Sequence, residues 1–202
     1  MVIKIMKKEF NDVFLYKILR PIITALFKML YTPKIIGTEN ISKNGRLILA
    51  GNHTNNFDSA LLISSTKREI HFLAKIELFK GIKKILFSNM GLIPVNRNKK
   101  DHKALETAYN YLENNKLIGI FPEGTFGNGK ILPFKIGAVK MAYETKTKIV
   151  PFSITGTYKL FSKDLKIVFG KPIEIKSNNL EEENNKLRDI VVRMVKDGNE
   201  HI

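Results

Sequence analysis

The apolar positions fall into short dense runs parted by polar turns. Leu47-Ile48-Leu49-Ala50 reads as a buried strand, and Ala60-Leu61-Leu62-Ile63 as the body of a helix. Between them lies the polar stretch Gly51-Asn52-His53-Thr54-Asn55-Asn56-Phe57-Asp58, which predicts a turn from strand to helix. The same alternation continues along the chain. Residues 34 to 46 predict a short strand and a turn at Asn44-Gly45, and further strands are expected over 69–75, 91–97 and 116–121. Two late strands are expected over 149–154 and 165–169. Helical spacing appears over 77–87, 100–115, 134–145 and 180–196, with Ala104, Leu105, Ala108 and Leu112 a clear amphipathic example. Strands alternating with helices predict an α/β fold. The expected architecture is a single domain with a largely parallel sheet flanked by helices.

The first thirty residues follow another pattern. Phe10, Val13, Phe14, Ile18, Ile22, Ala25, Leu26, Met29 and Leu30 recur at helical spacing, while Lys4, Lys7, Lys8, Lys17, Arg20 and Lys28 flank or interrupt them. The apolar length is too short and too charged to span a bilayer, which takes about 20 predominantly apolar residues. Pro21 predicts a break into two short helices. No small-residue cleavage site follows, which argues against a secretory signal. A basic segment with a wide apolar face suits a membrane interface, and packing on the core is the competing reading. The expected division is a membrane-interface helical segment over 1–31 and the remaining domain over 32–202.

Charge adds a constraint. The 202 residues carry 34 Lys and Arg against 19 Asp and Glu, a formal net charge of +15. That balance suits an anionic partner, such as anionic lipid, an acidic carrier or nucleic acid. No nucleic-acid reading motif or interleaved aromatic and basic patch is present, so nucleic acid is disfavoured. The absence of cysteine excludes disulfides and thiol nucleophiles. Histidines at 53, 71, 102 and 201 show no His-Glu-x-x-His spacing, and no metal site is expected.

His53 and Asp58 are the candidate chemistry. A carboxylate that accepts from one imidazole nitrogen fixes the tautomer and frees the other nitrogen to take a proton. No hydroxyl or thiol nucleophile stands obviously beside them, so the fitting task is activation of a substrate hydroxyl. The plainer alternative is that Asp58 caps a helix and His53 is an ordinary loop residue. A second motif, Gly124-x4-Gly129-Lys130, matches most of a phosphate-binding P-loop. Ile131 stands where Ser or Thr would ligate Mg²⁺, however, and Pro133 delays the helix.

Four stretches end strand candidates in order: Asn52-His53-x4-Asp58, Lys75-Ile76-Glu77-Leu78 with Gly91 to Arg97, Phe121-Pro122-Glu123-Gly124-Thr125, and Val150-Pro151-Phe152. Together they resemble the glycerolipid acyltransferases, whose best known members are the 1-acyl-sn-glycerol-3-phosphate acyltransferases, over roughly residues 35 to 175. The resemblance implies His53 as general base and Asp58 as its orienting partner. It further implies Lys75 and Arg97 as candidates for the acceptor's phosphate, and Glu123, Gly124 and Thr125 as an acceptor-binding segment. No cofactor is expected beyond an acyl-thioester co-substrate, carried by acyl carrier protein or coenzyme A. The expected partners are a lysophospholipid acceptor and a phospholipid membrane surface, with the protein peripheral or monotopic on the cytoplasmic face. Phe126 stands where the family often carries an arginine. Lys130 or Lys135 could replace that cation, or the acceptor could be another lysolipid or an apolar alcohol. A non-enzymatic basic protein coating anionic membranes is the remaining alternative, and it leaves the four stretches unexplained. Every candidate site residue lies beyond position 50, so the first segment is expected to serve attachment rather than chemistry.

Overall fold

The computed structural model describes residues 13–96, 101–127 and 129–200. The chain forms the helices α1 (Phe14–Tyr31), α2 (Asp58–Ser65), α3 (Ile82–Asn89), α4 (His102–Glu113), α5 (Gly137–Thr145) and α6 (Leu180–Glu200). The strands are β1 (Lys34–Ile36), β2 (Leu47–Gly51), β3 (Ile70–Lys75), β4 (Ile93–Val95), β5 (Leu117–Ile120), β6 (Ile149–Thr155) and β7 (Lys166–Phe169). They make one sheet in the order β1-β7-β6-β2-β5-β3-β4. All neighbours pair in parallel except β6 with β7, so β6, β2, β5, β3 and β4 end on a common edge. The α/β expectation with a largely parallel sheet holds.

Alternation along β2 explains the layers. Every residue of β2 is buried. Leu47 and Leu49 enter a core shared with Leu61 and Leu62 of α2 and with Tyr16 and Phe27 of α1. Ile48 and Ala50 enter the opposite core, shared with Ala108 of α4, Val139 of α5 and Leu187 of α6. A strand covered on both faces must be apolar at every position, and that is the run seen in the sequence. Lys166 is the buried exception on β7, and its ammonium donates to the Gly198 carbonyl in the last turn of α6 (2.7 Å).

Two expectations need correction. Pro21 does not split the first segment, because α1 continues through it from Phe14 to Tyr31. Tertiary packing on both sides outweighs the one hydrogen bond that proline removes. Tyr16 accepts from the Ile70 amide (3.1 Å) and donates to the Arg68 carbonyl (3.2 Å), while Arg20 Nε donates to the Thr66 carbonyl (3.0 Å). Phe27 secures the far end in the core. The part of that segment before residue 13 lies outside the described residues. The helix expected over 77–87 is likewise a 3₁₀ turn over Ile76–Leu78 followed by α3. Gly81 separates them with φ 53° and ψ −139°, a backbone state that only glycine adopts readily.

α1 also has an outer face. Phe14, Ile18, Ile22, Leu26 and Met29 are 44 to 64 % exposed, at intervals of four, four, four and three. In α3 no side chain is buried, and Ile82 and Ile85 are exposed beside Lys83 and Lys84. None of the described helices is long and apolar enough to cross a membrane.

Candidate active site

Where β2 ends, the chain must leave the sheet without abandoning its hydrogen bonds. Gly51 permits the exit, because a Cβ there would stand 2.2 Å from the Phe152 carbonyl oxygen. Asn52 then continues the ladder with its side chain, donating to the Ile154 carbonyl (2.8 Å) and accepting from the Ile154 amide (2.7 Å). That double bond to β6 fixes the direction in which residue 53 departs.

His53 Nδ1 lies 2.7 Å from Asp58 Oδ2. Asp58 begins α2, is fully buried, and is surrounded by donors. Oδ2 also accepts from the amides of Thr54 (2.6 Å) and Asn55 (2.9 Å), and Oδ1 accepts from the Thr54 hydroxyl (3.0 Å) and from the Tyr158 hydroxyl. A carboxylate held this way is an acceptor on every side, so Nδ1 carries the imidazole hydrogen and Nε2 is the nitrogen left to receive a proton. Thr54 spends its hydroxyl hydrogen on Asp58, so it is not paired with His53 as a nucleophile would be. Asp58 therefore closes the turn and orients the imidazole at once.

Two rings fix the imidazole plane. Phe121 stacks on His53 with centroids 4.1 Å apart and planes at 15°, and Phe126 meets it at 4.5 Å and 64°. Phe126, which stands where the family often carries an arginine, thus fills space beside the imidazole. Glu123 is buried, and its two oxygens accept from the His53 amide (2.8 Å) and the Leu132 amide (2.7 Å). Burial raises the Glu123 carboxyl above its ordinary range, partly offset by those two bonds. Its carboxylate therefore ties the His53 turn to the loop after β5. Gly124 next to it has φ 72°, and Thr125 is exposed.

Lys75 ends β3 on the same sheet edge, separated from β2 by β5, with an exposed side chain. Val95 of β4 is in register with Lys75, so the segment after β4 leaves from that edge too. Arg97 itself lies outside the described residues. The P-loop likeness does not extend to the fold, because α5 starts only at Gly137 and Glu123 presents a carboxylate inside the loop. Among the described residues no cluster of His, Asp or Glu could hold a metal ion.

A cavity of about 140 Å³ adjoins His53 and is lined also by Thr54, Glu123, Lys130, Thr155 and Val195. Sequence reasoning missed Tyr158, which follows β6 and lies 100 residues from its partner Asp58. Burial, then the nearby Asp58 charge, push its hydroxyl far above the ordinary tyrosine range. Its ring packs among Phe27 and Tyr31 of α1 and Phe57, with centroids 5.7 to 6.1 Å apart. No local pattern marks such a residue, since only the fold brings it to the turn.

A family model described as Acyltransferase matches residues 32–155, which contain His53, Asp58 and the Glu123 turn. The chain belongs to the acyltransferase family. Among curated relatives, a 1-acyl-sn-glycerol-3-phosphate acyltransferase of Borreliella burgdorferi is 34 % identical over 145 residues, covering 70 % of this chain and 57 % of that protein. A probable 1-acyl-sn-glycerol-3-phosphate acyltransferase of Mycoplasma genitalium is 30 % identical over 177 residues, covering 72 % and 64 %. The acyltransferase chain thus spans less than two thirds of the length of these relatives. The crystal structure of the 1-acyl-sn-glycerophosphate acyltransferase PlsC from Thermotoga maritima has the same fold. Its TM-score is 0.71 at 24 % identity, covering 90 % of this chain and 79 % of that one.

Proposed function

We propose that this acyltransferase moves a fatty acyl group from an acyl-thioester to a hydroxyl of a lysophospholipid, with 1-acyl-sn-glycerol-3-phosphate as the leading acceptor and phosphatidic acid as product. The observation that carries the reading is the 2.7 Å contact between His53 and the five-bonded, buried Asp58 at the end of β2. Open α/β sheets commonly bind ligands at that edge. The names of the relatives support the acceptor.

In this reading His53 Nε2 takes the proton of the acceptor hydroxyl as its oxygen attacks the thioester carbonyl. The tetrahedral intermediate collapses, the carbon–sulfur bond breaks, and the leaving sulfur receives the proton from the imidazolium. Asp58 stabilises the imidazolium between these steps. General-base help of this kind is worth about a hundred- to ten-thousandfold. Lys75, Arg97 and the cavity-lining Lys130 are the proposed cations for the acceptor's phosphate, and Gly124 and Thr125 the proposed backbone and hydroxyl donors. The donor is acyl carrier protein or coenzyme A.

The protein stands on a phospholipid surface in this proposal. The exposed stripe of α1 and the isoleucines of α3 would enter the interface, and the lysines would meet anionic head groups. Residues 1–31 are the proposed attachment segment, and the inner side of α1 packs into the core of the proposed acyltransferase domain over residues 32–202.

A second acceptor class is favoured by one contact, the Phe126 ring against His53. An apolar neighbour there suits an acceptor without phosphate. Incubating the purified protein with acyl-thioesters and a panel of lysolipids and monoacylglycerols, followed by lipid analysis, decides between them. His53→Ala is expected to abolish transfer with a melting temperature close to wild type. Wild-type turnover in that variant would remove the assignment.

A further inference from the structure

We propose that the loop over residues 156–164 is a membrane-inserting element that seats the His53–Asp58 pair at the lipid surface. The inference rests on the acyltransferase reading for its purpose, but its evidence is separate. An ordinary surface loop turns polar side chains to water. Here Tyr158 turns inward, and Leu160 and Phe161 turn outward between the exposed Lys159 and Lys163. Asp164 Oδ2 accepts from the Thr157 hydroxyl (2.9 Å), and its Oδ1 accepts from the Ser162 hydroxyl. These bonds brace the base of the loop and hold the Asp164 carboxyl below its ordinary range. At the tip Leu160 is 54 % exposed and Phe161 72 %.

Phe161 is held outward against its own backbone preference. Its φ is 59°, in the left-handed region that bulky side chains rarely adopt. Its amide donates to the Leu30 carbonyl at the end of α1 (2.6 Å), which fixes that conformation. Strain of this kind persists where the surroundings impose it, and it clusters at functional positions. Here what it achieves is the display of an aromatic ring to the exterior.

Two observations choose the occupant. The tip is continuous with the outer stripe of α1, since Phe161 is bonded to Leu30, directly after the exposed Met29. Lys159 and Lys163 flank the two apolar residues, and both are exposed. Apolar tips between cations match an anionic bilayer, where hydrocarbon receives the rings and head groups receive the ammonium groups. An acidic protein partner would meet the cations but give no reason for two large apolar side chains at the tip.

The same loop reaches the chemistry. Tyr158, two residues before Leu160, donates to Asp58, and its ring packs on Tyr31 of α1 and on Phe57, itself about half exposed. Insertion of the tip therefore fixes the depth of the histidine turn through one braced loop. A lipid acceptor would reach His53 from the side without leaving the bilayer.

The chain contains no tryptophan, so Phe161→Trp introduces a single reporter. Vesicles of phosphatidylcholine and phosphatidylglycerol should shift its emission to the blue, and brominated lipid should quench it. Paired Leu160→Ser and Phe161→Ser substitutions should weaken sedimentation with the same vesicles in high salt by roughly tenfold or more, from the apolar area withdrawn. Both readouts are independent of turnover, so a failed acyl-transfer assay would sink the proposed function and leave this test standing. Emission unchanged by vesicles while the protein sediments with them would overturn the proposal. A shift produced by acyl carrier protein and not by vesicles would overturn it equally.

Discussion

Asp58 has two tasks, and a pair of substitutions separates them. It charges the neighbourhood of His53, and it satisfies donors that have no other acceptor inside the turn. Asp58→Asn keeps the shape. Its oxygen can take the Oδ2 position and accept from His53 Nδ1 and the Thr54 and Asn55 amides, which lie at 2.6 to 2.9 Å. Its amide nitrogen then faces the Thr54 and Tyr158 hydroxyls, and each can rotate to accept. All five charge-assisted bonds become neutral ones, at a cost of about 2 kcal/mol once relaxation is allowed for. Asp58→Ala removes the acceptor altogether. Two backbone amides, an imidazole and two hydroxyls lose their partner in a site with no exposure, which costs about 4 kcal/mol.

Thermal melting reads the difference. For a chain of this size about 1 kcal/mol moves the midpoint by 2–4 °C, so Asn should lower it by about 4–8 °C and Ala by roughly twice that. Turnover should fall in both by about a hundred- to ten-thousandfold, because neither stabilises the imidazolium. Asn would then be a nearly folded, nearly inactive enzyme. Equal melting temperatures for the two variants would refute the account of the turn. Near-normal turnover in Asp58→Asn would refute the account of the chemistry.

Three further outcomes are expected. His71 is buried on β3, donates from Nδ1 to the Gly91 carbonyl (2.9 Å) and has Nε2 without a partner; burial lowers its pKa to about 4. Between pH 6.5 and 4 the unfolded chain binds a proton that the fold rejects. Stability present above pH 6.5 should therefore fall by about 3 kcal/mol as pH drops to 4, and in denaturant titrations His71→Phe should show a clearly smaller fall, an identical fall sinking the idea. Phe126→Arg should lower KM for a phosphate-bearing acceptor several-fold relative to a monoacylglycerol, and an unchanged ratio of the two would show that the position does not face the acceptor's head. Deleting residues 1–31 should abolish cooperative unfolding, because burial of Tyr16 and Phe27 is lost and each is worth about 3–5 kcal/mol; a truncated chain that melts sharply and acylates a detergent-dispersed acceptor would contradict this.

The sheet and most helices were legible because their signals are local. β2 is an unbroken apolar run, β6 is apolar from Ile149 to Phe152, and α4 shows its buried Ala104, Ala108 and Leu112 at helical spacing. His53 and Asp58 were legible because the turn holds both within six residues. Glu123 was legible as a site residue but not in its geometry, since nothing local says that its carboxylate faces two backbone amides. Phe126 read as a missing cation, whereas the fold places its ring on the imidazole. Tyr158 was invisible for a physical reason. Its contact with Asp58 spans 100 residues and depends on the neighbourhood of β6 and β2, which is a property of the sheet order rather than of any spacing.

The same limit governs α1. Its pattern offered two readings, lipid or core, as though one helix had one apolar face. The structure gives it two. Tyr16 and Phe27 face the core, and Phe14, Ile18, Ile22, Leu26 and Met29 face outward, so apolar residues occupy both sides and a single periodicity could not choose. A helix with apolar residues on two sides presents two faces to be covered. Here the protein covers the first. The inner face also reaches the site, because Phe27 and Tyr31 pack on the ring whose hydroxyl holds Asp58. Residues expected to serve attachment alone therefore pack on the candidate site, although every candidate reacting group lies beyond position 50. The contacts run from α1 to Tyr158 and, through it, to the carboxylate bonded to His53. The proposed anchor and the proposed catalytic turn therefore share α1 as a common wall.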